Sequence, residues 1–164
     1  MITVAEYVGP YVDSPDWNPE TTAAAMIMLE KVNSLLDKYV EDGGLLVINP
    51  STGTLISGEK NGGFRPQNCP IGAPRSKHKT GHGVDVYCPA PNRELSRWCY
   101  AHPEELESRG LCMEDARWTL GWAHFQDVPP GPPGSPWRLD FIPDLSPAKC
   151  AALPEQATYT KGLA

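Results

Sequence analysis

The chain has more acidic than basic residues and contains no long apolar run. Its 164 residues include 14 Lys and Arg against 20 Asp and Glu, which gives a net charge of −6. That balance argues against proteins that bind nucleic acid through a basic face. No apolar run approaches the roughly 20 residues of a bilayer-spanning helix, and residues 1–6 lack the basic and apolar regions of a signal peptide. We therefore expect a soluble protein, cytoplasmic as synthesised, with neither nucleic acid nor a membrane as partner.

The sequence also lacks the cysteine pattern of a disulfide framework or a zinc knuckle. Its five cysteines are irregularly spaced, and no two are separated by only two residues. An odd number without an export signal argues against structural disulfides, and the spacing argues against a knuckle. We expect most of them to be buried free thiols. The positions are Cys69, Cys88, Cys99, Cys112 and Cys150.

Length and composition indicate one domain built from short elements. A chain of 164 residues suits a single hydrophobic core. Its 18 Pro and 15 Gly favour many turns over a helical bundle. We expect one domain over residues 1–164, with its core at about residues 19–143 and a C-terminal tail over residues 144–164.

One long helix is predicted near the N-terminus. The run Asn18-Pro19-Glu20 supplies an N-cap, a proline for the first helical position and an acid for the first turn. Apolar residues then recur on one face with helical periodicity. We expect a helix over residues 19–41, preceded by an irregular arm over residues 1–17. The apolar face consists of Ala24, Ile27, Met28, Val32, Leu35, Leu36 and Tyr39.

Short strands and two short helices are predicted for most of the remaining chain. Continuous or alternating apolar runs favour strands, and long ordered loops in compact domains are usually functional. The predicted fold class is α+β, with a small antiparallel sheet, helices packed on one side and a cleft on the other. The predicted strands are 45–49, 54–58, 83–87, 111–114, 122–126 and 137–143; the helices are 92–101 and 103–109; the loops are 59–77 and 128–136.

Two histidines and one aspartate have a spacing that suits a metal site. His78 lies in a loop, Asp85 follows seven positions later on a predicted strand, and His124 lies on another. Glycines between the first two let the backbone turn sharply, so imidazole and carboxylate can meet. Three protein ligands leave a fourth zinc position open for water, which is the catalytic arrangement. A His-x6-Asp pair alone is a weak signal, but the longer pattern described next is much stronger.

Four motifs together resemble a known family. They are Gly63-Phe64-Arg65-Pro66, Gly72-Ala73-Pro74, Ser76-x-His78-x-x-Gly81-x3-Asp85 and Trp122-x-His124. Over about residues 20–143 the chain is similar to the zinc D-Ala-D-Ala carboxypeptidases and phage endolysin peptidases, which share a fold with the Hedgehog signalling domain. The resemblance implies a Hedgehog/DD-peptidase-like fold and one Zn²⁺ per chain. His78, Asp85 and His124 match the zinc ligands.

The resemblance also implies roles for further residues. Arg65 matches the arginine that holds a substrate carboxylate, for which a guanidinium fork is well suited. Ser76 matches a group that steadies the loop or the substrate. Many family members carry an acidic general base three residues before the last histidine, but this chain has Gly121 there.

A peptidase still needs a group that moves a proton from the attacking water to the leaving amine. The candidates in this chain are Glu114, Asp115 and Asp127. We prefer Glu114 as the catalytic base, because strand pairing can bring it to the face that carries His124.

The resemblance implies a zinc-dependent peptidase that hydrolyses an amide bond in peptidoglycan peptides, as a carboxypeptidase or an endopeptidase. We expect a monomer, related to phage enzymes, that reaches the cell wall through a phage holin or inside a virion. One alternative is an inactive, zinc-stabilised binding or virion structural module of the same fold, which Gly121 favours. Another is a zinc hydrolase that acts on an amide outside the cell wall.

Overall fold

Capping and periodicity account for the helices of the protein, whose computed structural model describes residues 1–130 and 141–142. Two short 3-10 turns accompany four α-helices. In chain order the helical elements are α1 (Val4–Val8), a 3-10 turn (Gly9–Tyr11), α2 (Pro19–Glu41), a second 3-10 turn (Lys77–Thr80), α3 (Glu94–Ala101) and α4 (Pro103–Ser108).

The long helix α2 has the bounds that its sequence predicts. The Asn18 side chain accepts a hydrogen bond from the backbone N–H of Thr21, and Pro19 occupies the first turn. Most of the predicted apolar face is buried in one hydrophobic cluster with the sheet. Two predicted residues lie outside that cluster: Ala24 is half-buried, and Ile27 is 53% exposed. Ala25 and Leu29 are buried in their place, so the buried face is rotated slightly about the helix axis.

Four short strands form one antiparallel sheet with the order β1-β3-β2-β4. The residues of its core-facing side are buried, and the alternation places polar residues on the other side. The mixed α+β class with a small antiparallel sheet is therefore confirmed. The strands are β1 (Gly83–Tyr87), β2 (Cys112–Glu114), β3 (Trp122–Gln126) and β4 (Phe141–Ile142).

The register between β1 and β3 decides which side chains meet. Asp85 lies directly opposite His124, with the pairs Gly83–Gln126 and Tyr87–Trp122 on either side along the strands. Residues that face each other in an antiparallel pair project from the same face of the sheet. Asp85 and His124 therefore project together.

The predicted strand over residues 45–49 is wrong. The segment has no strand geometry, and Leu45 and Ile48 are 74% and 54% exposed. Its last residue, Asn49, begins a turn: its N–H donates to the carbonyl of Thr54, and its side chain donates to that of Ile56. The apolar run thus leads into a turn whose polar groups hydrogen-bond within the turn itself.

Residues 54–58, which are also predicted to form a strand, form only one isolated β-bridge, between Ile56 and Val86.

The irregular arm predicted over residues 1–17 is also wrong in part, because α1 lies within it. Thr3 and Glu6 form a capping box in which each side chain accepts a hydrogen bond from the other residue's backbone N–H. Helix α1 buries Tyr7 and Val8. A helix of five residues is too short to show apolar periodicity, so only its cap marks it in the sequence.

The other element predictions hold where the structure describes them. Strand β4 agrees with part of the strand predicted over residues 137–143, and pairs with β2. The predicted tail and most of the 128–136 loop lie outside the described residues, as does Cys150. Three of the other four cysteines are buried and Cys69 is partly exposed, all as free thiols. Within the described ranges, the helices are too short or too polar to cross a bilayer.

Candidate metal centre

His78, Asp85 and His124 come from three different elements and meet in one buried cluster. His78 lies on the second 3-10 turn, which ends at Gly81 with φ +80°. A Cβ at that glycine would lie 2.4 Å from the carbonyl oxygen of Thr21 on α2. Both the positive φ and the close approach to α2 therefore require glycine. The structure therefore brings the two imidazoles and the carboxylate together, as the sequence leads us to expect.

One atom of each side chain faces the same point. The distances are 3.2 Å from His78 Nε2 to Asp85 Oδ1, 2.7 Å from His124 Nδ1 to Asp85 Oδ1, and 3.2 Å between the two nitrogens. Zinc bonds of about 2.0 Å in a tetrahedron place neighbouring ligand atoms about 3.3 Å apart. The three atoms are thus spaced like one face of a small coordination polyhedron.

Hydrogen bonds on the far side of each imidazole determine which nitrogen carries the proton. His78 Nδ1–H donates to the carbonyl of Gly63 at 2.6 Å, so its Nε2 presents a lone pair. His124 Nε2–H donates to the side-chain oxygen of Gln126 at 3.2 Å, so in the neutral ring Nδ1 carries the lone pair. The Gln126 amide has only this orientation, because its NH₂ donates to the carbonyl of Val128. Metal-binding histidines in proteins are oriented by such outer hydrogen bonds.

The carboxylate of Asp85 is held in the same manner. Arg65 Nη2 donates to Asp85 Oδ2 at 2.9 Å, and Arg65 Nε donates to the carbonyl of Asn61 at 2.6 Å. Oδ1 is left facing both imidazoles, and it lies within hydrogen-bond distance of His124 Nδ1. A divalent cation at the meeting point would take the place of a proton between these atoms. The donor set, two imidazoles and one carboxylate, is one that zinc accepts.

The electrostatics of the cluster favour an ionised aspartate. Burial alone would raise the pKa of Asp85, but its interactions with the His78 and His124 imidazoles outweigh burial and hold the pKa well below its usual range. Burial lowers the pKa of His78, which keeps that ring neutral as a metal ligand must be. Burial also disfavours the cationic form of His124, but its hydrogen bond to Asp85 prevails and raises the pKa.

The two residues expected to bind substrate lie on either side of the same loop. Arg65 is buried and joined to Asp85, so it orients a metal ligand; its role toward a substrate carboxylate stays a prediction. Ser76 precedes the 3-10 turn and is partly exposed. Its carbonyl accepts a hydrogen bond from the N–H of Lys79, whereas its hydroxyl has no hydrogen-bond partner among residues 1–130 and 141–142.

Of the three acids considered as general base, Glu114 lies beside His124 and Asp85 across the three neighbouring strands of the sheet. Strand β2 pairs with β3 as predicted, and its register continued by one residue places Glu114 opposite His124. The charge of Glu114 also acts on the His124 ring, whose pKa it helps to raise. Asp115 is buried against the hydroxyl of Tyr100, and Asp127 is bonded to His82 and Lys31.

Sequence reasoning missed two partners of the ligands, Gln126 and the carbonyl of Gly63. Gln126 could have been found, because it is two residues after His124 on a strand and so shares its face. Gly63 acts through its backbone, and a carbonyl oxygen carries no residue-specific signal.

No protein-family model matches this chain, and neither a curated protein nor a solved structure matches it. Only the geometry of the described residues and the motifs that carry the resemblance therefore bear on the function.

Proposed function

We propose that the chain is a zinc-dependent peptidase that hydrolyses an amide bond in peptidoglycan peptides, with a Hedgehog/DD-peptidase-like fold. The observation that carries the proposal is the convergence of His78 Nε2, Asp85 Oδ1 and His124 Nδ1, which all lie within 4.8 Å of one another. Each side chain is held from behind by its own hydrogen-bond partner, as the ligands of metal sites in proteins are.

His78, Asp85 and His124 would hold the ion. A zinc ion bound there would lower the pKa of a coordinated water toward about 7 and polarise the scissile carbonyl. Glu114, opposite His124 on the neighbouring strand, would accept the proton from the attacking water and pass it to the leaving amine. Gly121 lies just before β3 with φ +93°, a backbone conformation that favours glycine over an acidic residue. A base would therefore have to come from elsewhere, and β2 carries Glu114.

Arg65 is proposed to bind a carboxylate of the substrate through the nitrogen that does not contact Asp85. A Cβ at Gly72 would lie 2.5 Å from Arg65 Nη1, so glycine at that position keeps the space beside this nitrogen clear. Ser76 lies next to the same loop and has a hydroxyl that a substrate group can use. A guanidinium beside the metal suits a peptide that ends in a free carboxylate.

The wider context of the proposal is that of a phage lytic enzyme. The chain would act as a monomer with one Zn²⁺ on cell-wall peptides, after release by a holin or delivery in a virion. This part is supported only by the resemblance of the motifs.

A zinc-stabilised binding or virion structural module is the second candidate. The burial of the ligands favours it, since His78, Asp85 and His124 are only 1%, 5% and 8% exposed. Structural zinc sites are closed to solvent, whereas catalytic sites keep one open position. The two candidates share the metal and differ in whether a bond is cleaved.

Metal analysis and hydrolysis assays on the same preparation test the proposal. We expect one zinc per chain, cleavage of defined muropeptides, and loss of cleavage on chelation with recovery on added zinc. Zinc without cleavage of any muropeptide would select the binding module. Cleavage confined to amides from outside the cell wall would select a different hydrolase, and a protein without metal would contradict all three.

A further inference from the structure

The outer edge of β1, which carries Asp85, is held by hydrogen bonds from elements other than the sheet. Asp85 N–H donates to the carbonyl of Gly62 at 2.7 Å, and its carbonyl accepts from Ser57 N–H at 2.9 Å. The next acceptor along this edge is the carbonyl of Gly83, and the hydroxyl of Tyr7 donates to it at 3.0 Å. Tyr7 lies on α1 and is only 1% exposed, so no solvent replaces this bond if it is lost.

The backbone of the same residue supports the segment that holds His78. Phe64 N–H donates to the carbonyl of Tyr7 at 2.8 Å, and a Cβ on Gly63 would lie 1.9 Å from that carbonyl oxygen. Gly63 is therefore pressed directly against α1, and its own carbonyl is the acceptor of His78 Nδ1–H. The ring of Trp17 packs on Phe64 with centroids 5.0 Å apart and on Tyr7 at 6.1 Å.

We infer that Tyr7 is a positioning residue of the metal centre. It acts along two routes: its hydroxyl fixes the start of β1 and hence Asp85, and its carbonyl fixes residues 63–64 and hence the His78 imidazole. The inference rests on the metal binding proposed above and extends it to α1, which has no group of its own in the site. Small displacements of such outer contacts weaken metal binding, because the ligands then converge less well.

The test compares Tyr7→Phe with Tyr11→Phe in the full-length chain. Tyr7→Phe keeps the ring and removes the hydroxyl that holds Gly83. Tyr11→Phe is the matched control: its ring packs edge-on against Phe64 at 6.3 Å, and within the part of the chain that the structure describes its hydroxyl has no hydrogen bond. Zinc affinity is measured by competition with a chromogenic chelator, and ligand geometry by the visible spectrum of the Co²⁺-substituted protein.

We expect Tyr7→Phe to bind zinc about tenfold more weakly, at the low end of the effect of outer contacts, with an altered Co²⁺ spectrum. Tyr11→Phe should match the parent in both. A variant that only loses stability would show a lower unfolding midpoint with an unchanged spectrum, and that result would overturn the inference. If Tyr7→Phe does not fold, Phe64→Leu is measured instead, because it changes the packing beside Tyr7 and keeps both Tyr7 hydrogen bonds. We expect it to keep the zinc affinity and the Co²⁺ spectrum of the parent; a loss in both would show that packing, not Tyr7, positions the ligands, and would overturn the inference. A parent that binds no zinc would remove the proposed function as well.

Discussion

Gln126 determines which nitrogen of His124 is available to a metal ion. Its oxygen accepts the Nε2 proton of His124, and its NH₂ group is committed to the carbonyl of Val128. Without that acceptor the imidazole can place its proton on Nδ1, which faces Asp85, and then cannot bind a cation through that atom. A residue outside the candidate ligand set thus favours the tautomer that a metal ion would need.

We predict that Gln126→Leu weakens zinc binding by about 10- to 100-fold, which is the usual cost of losing an outer partner of a histidine ligand. Equilibrium competition with a chelator measures the loss. Gln126→Glu is the matched control, because its carboxylate still accepts the Nε2 proton, and it should retain most of the affinity. Equal losses in both variants would show that side-chain packing, not the tautomer, is responsible.

Glu114 is the residue at which the proposed catalysis can be tested separately from the proposed metal binding. We predict that Glu114→Gln keeps one zinc per chain and lowers muropeptide hydrolysis by about 10²- to 10⁴-fold, the range expected for a lost general base. Rates are compared at saturating substrate with Glu104→Gln, which changes an exposed acid on α4 next to His102. A full rate in Glu114→Gln would exclude this carboxylate as the base.

The ligands could be predicted from the sequence, whereas their supporting contacts could only partly be. His78, Asp85 and His124 belong to side-chain types with a distinct chemistry and to a recognisable spacing. Arg65 was noticed for a different role, and its bond to Asp85 depends on how the 59–77 loop folds back onto β1. The carbonyls of Gly63 and Gly83 are set by tertiary packing alone, so no residue pattern reports them.

At the scale of elements, α2 shows the closest agreement between local sequence and structure. Its cap, its first-turn proline and its apolar face all favour the same helix, and Pro19–Glu41 forms it. The sequence predicts strands β1 and β3 for a similar reason, because their alternation matches a sheet with one apolar and one polar face.

The elements that were missed or wrongly assigned lack such agreement. Residues 45–49 are apolar enough for a strand, but strand formation also needs a partner, and the following turn at Asn49 leaves them none in the described sheet. Helix α1, in contrast, has a clear capping box but is too short to show apolar periodicity. Local pattern therefore predicts an element well only where burial and capping coincide.

The N-cap of α2 gives a direct test at this scale. We predict that Asn18→Ala lowers the free energy of unfolding by about 1 kcal/mol, because the N–H of Thr21 loses its acceptor. Urea denaturation followed by circular dichroism measures the change. Asn18→Asp keeps an acceptor at the cap and should stay close to the parent; a similar loss there would show that the cap does not account for the effect.

At the scale of the whole molecule, the candidate metal centre joins parts that are distant in sequence. His78 belongs to the segment after the long loop, Asp85 to β1 and His124 to β3, and 39 positions separate the two strand ligands. Bringing them together depends on the pairing of β1 with β3 and on the packing of α2 against Gly81. A ligand that binds only this folded arrangement must stabilise all of it.

We therefore predict that zinc raises the thermal unfolding midpoint of the parent protein and that a chelator reverses the rise. At a free zinc concentration 100-fold above the dissociation constant the gain is about 2.7 kcal/mol, which for a domain of this size is about 5–10 °C. Differential scanning calorimetry of zinc-loaded and chelated samples measures it. His124→Ala removes a ligand and should show no zinc-dependent shift. His102→Ala, which removes a partly exposed imidazole beside Glu104, is the matched control and should show the full shift. A shift that persists in His124→Ala would place the stabilising ion elsewhere on the chain and would remove the observation on which the proposed peptidase depends.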